Sequence, residues 1–175
     1  MTSVLSLLEV PHEPKVLLLE ADPGSAGESV SGWAASGLVV RTVRGRKMRT
    51  YQGVFDEFAA ALQFPLYFGD NMDAFDECIA DLAWLPAQFG YVILVTDPHE
   101  VLADEGDHGL AWLAGSLVGA SVEWSRPVDL GEWWDRPAVP FHVVLQFLAV
   151  DRVHVVDRWR SAGAVLETLP GSVVS

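Results

Sequence analysis

Apolar residues recur along this chain at two different spacings. Val16–Leu19 and Leu38–Val43 are short runs of aliphatic and β-branched side chains, the pattern of strands. Tyr91–Val95 and Phe141–Phe147 are continuous apolar runs, as expected of strands buried on both faces. Between them the period changes to that of a helix. Val54, Phe55, Phe58 and Leu62 predict an amphipathic helix over Tyr51–Gln63, stopped by the following Pro65. Met72, Phe75, Cys78, Ile79 and Leu82 predict a second helix with Asn71 as its cap. Leu110, Leu113, Leu117 and Val118 predict a third, with Asp107 as a nearby cap. Asp22–Gly27 reads as a turn or loop, and Val153–Val156 as a further strand before a Gly/Ser-containing tail.

The core order is therefore strand, helix, helix, strand, helix, strand. Strands separated by helices predict an α/β fold with a small parallel sheet and helical crossovers. No internal repeat or low-complexity block interrupts it. Arg126–Pro140, which contains Trp133 and Trp134, reads as a long ordered connection. The 175 residues suit one domain, and a composition half hydrophobic and one-fifth charged excludes wholesale disorder.

Charge changes the picture more than composition does. The chain has 24 acidic and 11 basic residues, a net charge of −13. From Thr50 to Ser125 it has thirteen Asp or Glu and no Lys or Arg, so the whole net charge belongs to that segment. This argues against direct binding of nucleic-acid phosphates there and for a basic partner. Arg41–Arg49 holds five of the eleven bases; in so acidic a chain, pairing across the fold is the economical reading. Cys78 is the only cysteine, which excludes an intramolecular disulfide or a cysteine-rich zinc site and fits a reducing compartment. Met1–Pro14 lacks the basic start of a secretory signal, and no apolar run approaches the ~20 residues of a membrane span. The expectation is a cytoplasmic protein without membrane association.

The acidic helix is the most informative feature. At about 100° per residue, with Asp73 at zero, Asp76 falls at about −60°, Glu77 at about +40° and Asp81 at about +80°. Met72, Phe75, Cys78, Ile79 and Leu82 fall on the opposite arc. One helix face is thus greasy and the other anionic, headed by Asp70 and the aromatic pair Tyr67 and Phe68. A plain solvated surface is the bland account, and Asp73 suits a helix N-terminus. Yet Asp73 and Glu77 form a like-charge pair costing ~0.2–0.5 kcal/mol, with no base nearby to relieve it.

The segment Phe64-Pro-Leu-Tyr-Phe-Gly-Asp-Asn-Met-Asp-Ala-Phe-Asp-Glu77, lying between two helices and followed by an apolar strand, resembles the barstar family of ribonuclease inhibitors. The resemblance extends over roughly Leu38–Phe147. It implies a compact α/β domain whose second helix and preceding loop plug the active site of a guanyl-specific ribonuclease, with no catalytic activity and no cofactor. On that resemblance Tyr67, Phe68, Gly69, Asn71 and Asp73 match the loop and helix start of the binding surface. Glu77 matches the acid that occupies the substrate-phosphate position, and Asp76 joins it. The best-known member has a shorter Asp at the position of Glu77 and a bulky aromatic at that of Asp76. The acid that other members contribute from a later helix stays unassigned, with Glu105 and Glu123 both open for it. The resemblance also divides the chain: residues 1–36 as an N-terminal extension with a strand, 37–148 as the barstar-like domain, and 149–175 as a C-terminal extension packed on it.

Three other readings compete. A barstar-like interaction module could bind a different cationic toxin or basic protein. A small acid/base enzyme could use Asp73 and Glu77, but that requires a desolvated carboxylate in a cleft. A calcium loop starting at Asp70 fails at its second ligand position, Met72, so no metal is expected. Cys78 lies on the greasy helix face and reads as a buried small hydrophobe. The histidines, at 12, 99, 108, 142 and 154, lack metal-ligand spacing. Trp84, Trp112 and Trp124 read as core or rim, and Trp133 with Trp134 as a candidate partner surface. The sequence leaves the oligomeric state open.

Overall fold

The computed structural model describes residues 7–9 and 13–170. Most of Met1–Pro14, His12 included, and the last five residues lie outside them. Five strands, β1 (Val16–Glu20), β2 (Val39–Arg44), β3 (Tyr91–Thr96), β4 (Phe141–Phe147) and β5 (Leu166–Thr168), form one sheet in the order β2-β3-β4-β1-β5. Every pairing is parallel. The helices are α1 (Pro23–Ala35), α2 (Tyr51–Leu62), α3 (Met72–Asp81), α4 (Asp107–Trp124) and α5 (Arg152–Ser161).

Strand side chains alternate between two apolar layers, as the two-residue period requires. Tyr91, Ile93 and Val95, with Phe141, Val143, Leu145 and Phe147, face the larger layer beneath α2, α3, α4 and α5. Leu17, Leu19, Val92, Leu94 and Val144 face the smaller one, closed by Ala26 and Trp33 of α1, with Leu8 and Leu169. The chain moves across the sheet in one direction from β1 to β2, through α1, and in the other from β2 onward. Right-handed crossovers then place α1 on the face opposite the remaining helices.

Three sequence expectations are corrected here. Asp22–Gly27 is the start of α1 and not a free loop. The Asp22 carboxylate accepts from the Gly24 and Ser25 amides at 2.8 and 3.1 Å, and Pro23 stands where a helix has no use for an amide proton. Turn-forming and helix-capping chemistry share the same residue types, and α1 buries only Ala26 and Trp33, so it has little periodicity to reveal it. Val153–Val156 is helical, within α5, and the additional strand follows at Leu166–Thr168. Val155 and Trp159 point inward while Val153 is exposed, a helical spacing that four residues are too few to show. Asp107 is the first residue of α4, with Gly106 in the capping position.

Strand β1 lies between β4 and β5, so both segments outside Leu38–Phe147 build the same sheet. Helix α5 is tied down by Trp159 Nε1, which donates to Pro98 O at 3.0 Å, and by Arg158, which donates to His99 O and Val101 O.

Three of the five bases in the stretch Arg41–Arg49 are neutralised internally. Arg44 forms a two-pronged pair with Glu57, Arg46 reaches Asp97 at 3.3 Å, and Arg49 pairs with Asp104 and Glu100. The side-chain hydrogen bond from Arg44 holds the Glu57 carboxyl below the usual range, and Arg49 does the same to Asp104. Carboxyls lowered on folding stabilise the fold above the ordinary carboxylate range, and that stability is lost as pH falls through their folded values. Glu57→Gln is therefore expected to flatten the acid limb of the stability–pH profile below about pH 5, measured by urea unfolding. Superimposable acid limbs would contradict the pairing. Phe75 is fully buried in α3, so Phe75→Ala should cost about 3–5 kcal/mol in the same assay. Asp76→Ala, on the exposed side of that helix, should stay within about 0.5 kcal/mol.

Candidate functional site

The loop before α3 is built by short-range rules. Gln63 ends α2 in the left-handed conformation at φ 54°, and the Phe68 amide closes a turn on Pro65 O at 2.9 Å. Asn71 caps α3: its Oδ1 accepts from the Ala74 amide at 2.9 Å, and its Nδ2 donates to Gly69 O at 3.1 Å. A side chain at Gly69 would collide with that amide, because a Cβ there would lie 2.9 Å from Asn71 Nδ2. Glycine therefore lets the loop fold onto the cap.

Aromatic packing holds the helix in place. The Phe75 ring meets Phe55, Phe58, Phe64 and Trp112, and Phe68 packs edge-on against Phe55 and Phe64. At the far end, Trp124 Nε1 of α4 donates to Ile79 O at 2.9 Å, satisfying a carbonyl of the last turn. Tyr91 supports the same end, donating its hydroxyl to Leu85 O at 2.6 Å; burial pushes its pKa up to about 12.

On this support the exposed side of α3 is anionic. Asp73, Asp76, Glu77 and Asp81 all face solvent. Among the described residues, none of these four nor Asp70 has an ion-pair partner, whereas Glu57, Asp97, Glu100 and Asp104 are paired with the arginines of residues 44–49. The fold thus separates the acidic segment into a neutralised set and an unneutralised one. Desolvation, with the nearby Asp81 and Glu77 charges adding, pushes the buried Cys78 thiol above its ordinary value, the opposite of a reactive thiolate.

The residues selected from sequence occupy one surface without all sharing one hollow. Tyr67, 76% exposed, and the half-buried Phe68 line a hollow of about 180 Å³ with Ala74, Glu77, Cys78 and Asp81. Asp76, Glu77 and Asp81 form one wall of a groove of about 810 Å³ between α3 and α4, with Trp112, Gly115, Gly119 and Glu123 opposite. Glu77 and Asp81 stand on the ridge between the two. Asp73 and Asn71 sit at the helix start and border neither, and Gly69 shapes the loop. The four α3 carboxylates are solvent-exposed. Among the described residues, no three His, Cys, Asp or Glu come together as a metal site.

The structure adds to this set and corrects one member of the greasy arc. Leu66 is fully exposed beside Tyr67, and Met72, expected on the buried side, is 37% exposed at the first helical position. No periodic pattern reaches Leu66, which lies in a turn. Of the two later acids, Glu123 faces the groove, whereas Glu105 accepts from the Tyr51 amide and lines a separate cavity with Arg158.

Comparison with known proteins agrees with the sequence resemblance. Residues 38–146, more than half of the chain, match the family described as Barstar (barnase inhibitor). A comparison with curated proteins finds no match. A chain in the structure of Drosophila ORC bound to GC-rich DNA and Cdc6 aligns with a TM-score of 0.49 at 13% identity, covering 93% of this chain and 51% of that one. A chain in the structure of Drosophila ORC bound to AT-rich DNA and Cdc6 gives 0.46 at 13% identity, covering 88% and 47%. The present chain spans about half the length of those solved chains, and likenesses of this strength bear on neither its partner nor its activity.

The local construction is testable. Asn71→Ala should lower stability by about 1 kcal/mol in urea unfolding, while Asn71→Asp, which keeps the capping oxygen, recovers most of it. Equal loss in both variants would remove the capping role.

Proposed function

The chain belongs to the barstar family, and from that premise we propose that it binds and blocks a basic, guanyl-specific ribonuclease with the acidic face of α3 and the Tyr67–Asn71 loop. One observation carries the reading: among the described residues the α3 carboxylates lack ion-pair partners, although five bases stand just upstream of the acidic segment and three of the arginines pair elsewhere. Unpaired carboxylates on a helix anchored by aromatic packing supply what a phosphate-binding site recognises, a fixed anion, without a bond that can be cleaved. Glu77 is the residue placed to imitate phosphate, with Asp73 and Asp76 flanking it. Tyr67 and Phe68 offer aromatic surface at its edge, and Leu66 enlarges the apolar rim.

Charge also governs the encounter. A surface of one sign attracts a basic enzyme before contact, and salt screens that attraction over about 8–10 Å at physiological strength. Asp76 and Glu77, where the best-known member has an aromatic and a shorter acid, favour as the second reading a different cationic toxin bound by the same face. Both readings describe a protein without catalysis of its own.

Inhibition of RNA cleavage by a purified basic, guanyl-specific ribonuclease is the deciding assay. The expected result is stoichiometric inhibition that weakens steeply with added salt. Asp73→Ala with Glu77→Ala should weaken binding by roughly 3–5 kcal/mol, because each removal strands a basic group of the enzyme without its partner. A double variant that inhibits like the wild type would remove the site assignment. No inhibition at low salt by a large molar excess would leave the second reading.

A further inference from the structure

A second recognition surface adjoins the acidic ridge. The connection between α4 and β4 is not a slack loop. Val128 and Arg136 exchange two backbone hydrogen bonds at 2.8 and 2.9 Å, closing its base. The Asp135 carboxylate accepts from the amides of Leu130, Gly131 and Glu132 at 3.0, 2.7 and 3.1 Å, and these bonds hold its pKa below the usual range. Gly131 supplies the positive φ of 78° that the turn requires. On this braced loop Trp133 is 89% exposed and Trp134 50% exposed, their rings 5.3 Å apart in an edge-to-face arrangement.

The two indoles border a hollow of about 800 Å³ that extends to Ala80, Asp81, Pro86, Glu123 and Trp124. Ala80, Asp81 and Glu123 line the α3–α4 groove as well, so the two concavities adjoin. The hollow already contains one guanidinium. Arg136 lies 4.1 Å from the Trp124 ring centre, and its nitrogens donate to the carbonyls of Glu123, Arg126 and Pro137. That cation is committed to its own backbone. Among the described residues, the Asp81 and Glu123 carboxylates have no ion-pair partner, and the Trp133 face is open to solvent. An exposed indole and unpaired carboxylates lining one hollow are groups that can hold an arginine side chain, by cation–π attraction from the one and charge from the other.

We propose that the Trp133–Trp134 loop receives an arginine-bearing loop of the same basic partner that docks on α3, acting as an aromatic anchor outside the phosphate-mimicking surface and setting which basic partner is retained. The proposal rests on the reading of α3 as the face that meets a cationic protein. Because the loop is braced before contact, little conformational freedom is lost on binding, and its effect falls on dissociation more than on association. The α3 carboxylates, by contrast, govern the salt-dependent approach.

The test uses the full chain with two probes. Against a basic guanyl-specific ribonuclease, Trp133→Ala with Trp134→Ala should weaken binding about tenfold through faster dissociation, with the salt dependence of association unchanged. Trp133→Phe with Trp134→Phe should recover part of the loss. Equal affinity of wild type and double alanine variant for that enzyme would overturn the proposal while leaving the inhibitor reading intact. If the wild type does not bind the ribonuclease at all, the inhibitor reading fails and octa-arginine against octa-lysine decides. A preference for octa-arginine that the double alanine variant loses supports the loop as a guanidinium site, and no preference, or one that survives, overturns it. Sedimentation of both proteins completes the set: a wild-type dimer that the alanine pair converts to monomer would assign the loop to a second copy of this chain and overturn the proposal.

Discussion

Phe75 is the point on which the acidic surface depends. It is fully buried, and rings from α2, the following loop and α4 meet it, so the inner side of α3 is held by aromatic packing contributed from three directions. Aromatic pairs of this kind add roughly 0.5–1.5 kcal/mol each beyond the area they bury. That anchoring matters because the outer side of the helix works against itself: Asp73, Asp76, Glu77 and Asp81 repel one another, and among the described residues none is in an ion pair. The helix can keep an unfavourable outer face because its inner face, its Asn71 cap and the Trp124 bond to Ile79 O do not rely on charge.

Separation of charge is the second constraint, and it follows from where β2 ends. The end of the strand and the turn that follows it bring Arg44, Arg46 and Arg49 to one end of the sheet, where Glu57 of α2 and the Asp97–Asp104 segment after β3 come within reach. These arginines occupy the neighbouring acids, and among the described residues the α3 acids are left without an ion pair. A solvated acidic face would tolerate such an arrangement. It stands beside exposed Leu66 and Tyr67 and across a groove from Glu123, a setting that suits the proposed role as a surface for a basic protein.

The segments flanking the family region extend the sheet. Strand β1 fits between β4 and β5, Lys15 pairs with Glu167 at 2.7 Å, and Arg152 with Glu20 at 2.5 Å, joining the two flanks to each other and to the sheet. Helix α1 covers the face that α2, α3, α4 and α5 leave open, so the sheet is enclosed on both sides. Both faces of the continuous apolar runs in β3 and β4 are thereby accounted for.

Much of this was legible in the order of residues because it is local. The strands at Tyr91 and Phe141, the helices after Thr50 and Asn71, and the anionic arc at Asp73, Asp76 and Glu77 follow from period and capping, which depend on neighbours a few positions away. Helix α1 and α5 were not legible: one begins with residues that serve turns equally well, and the other shows only a four-residue apolar run. What the tertiary structure alone decided is contact between distant positions. It chose Glu123 over Glu105 to face α3, gave Arg44, Arg46 and Arg49 their partners, left Leu66 and Met72 exposed, and braced Trp133 in the open. No periodicity carries such information, because it arises only when elements far apart in the chain pack and fix what each side chain can reach.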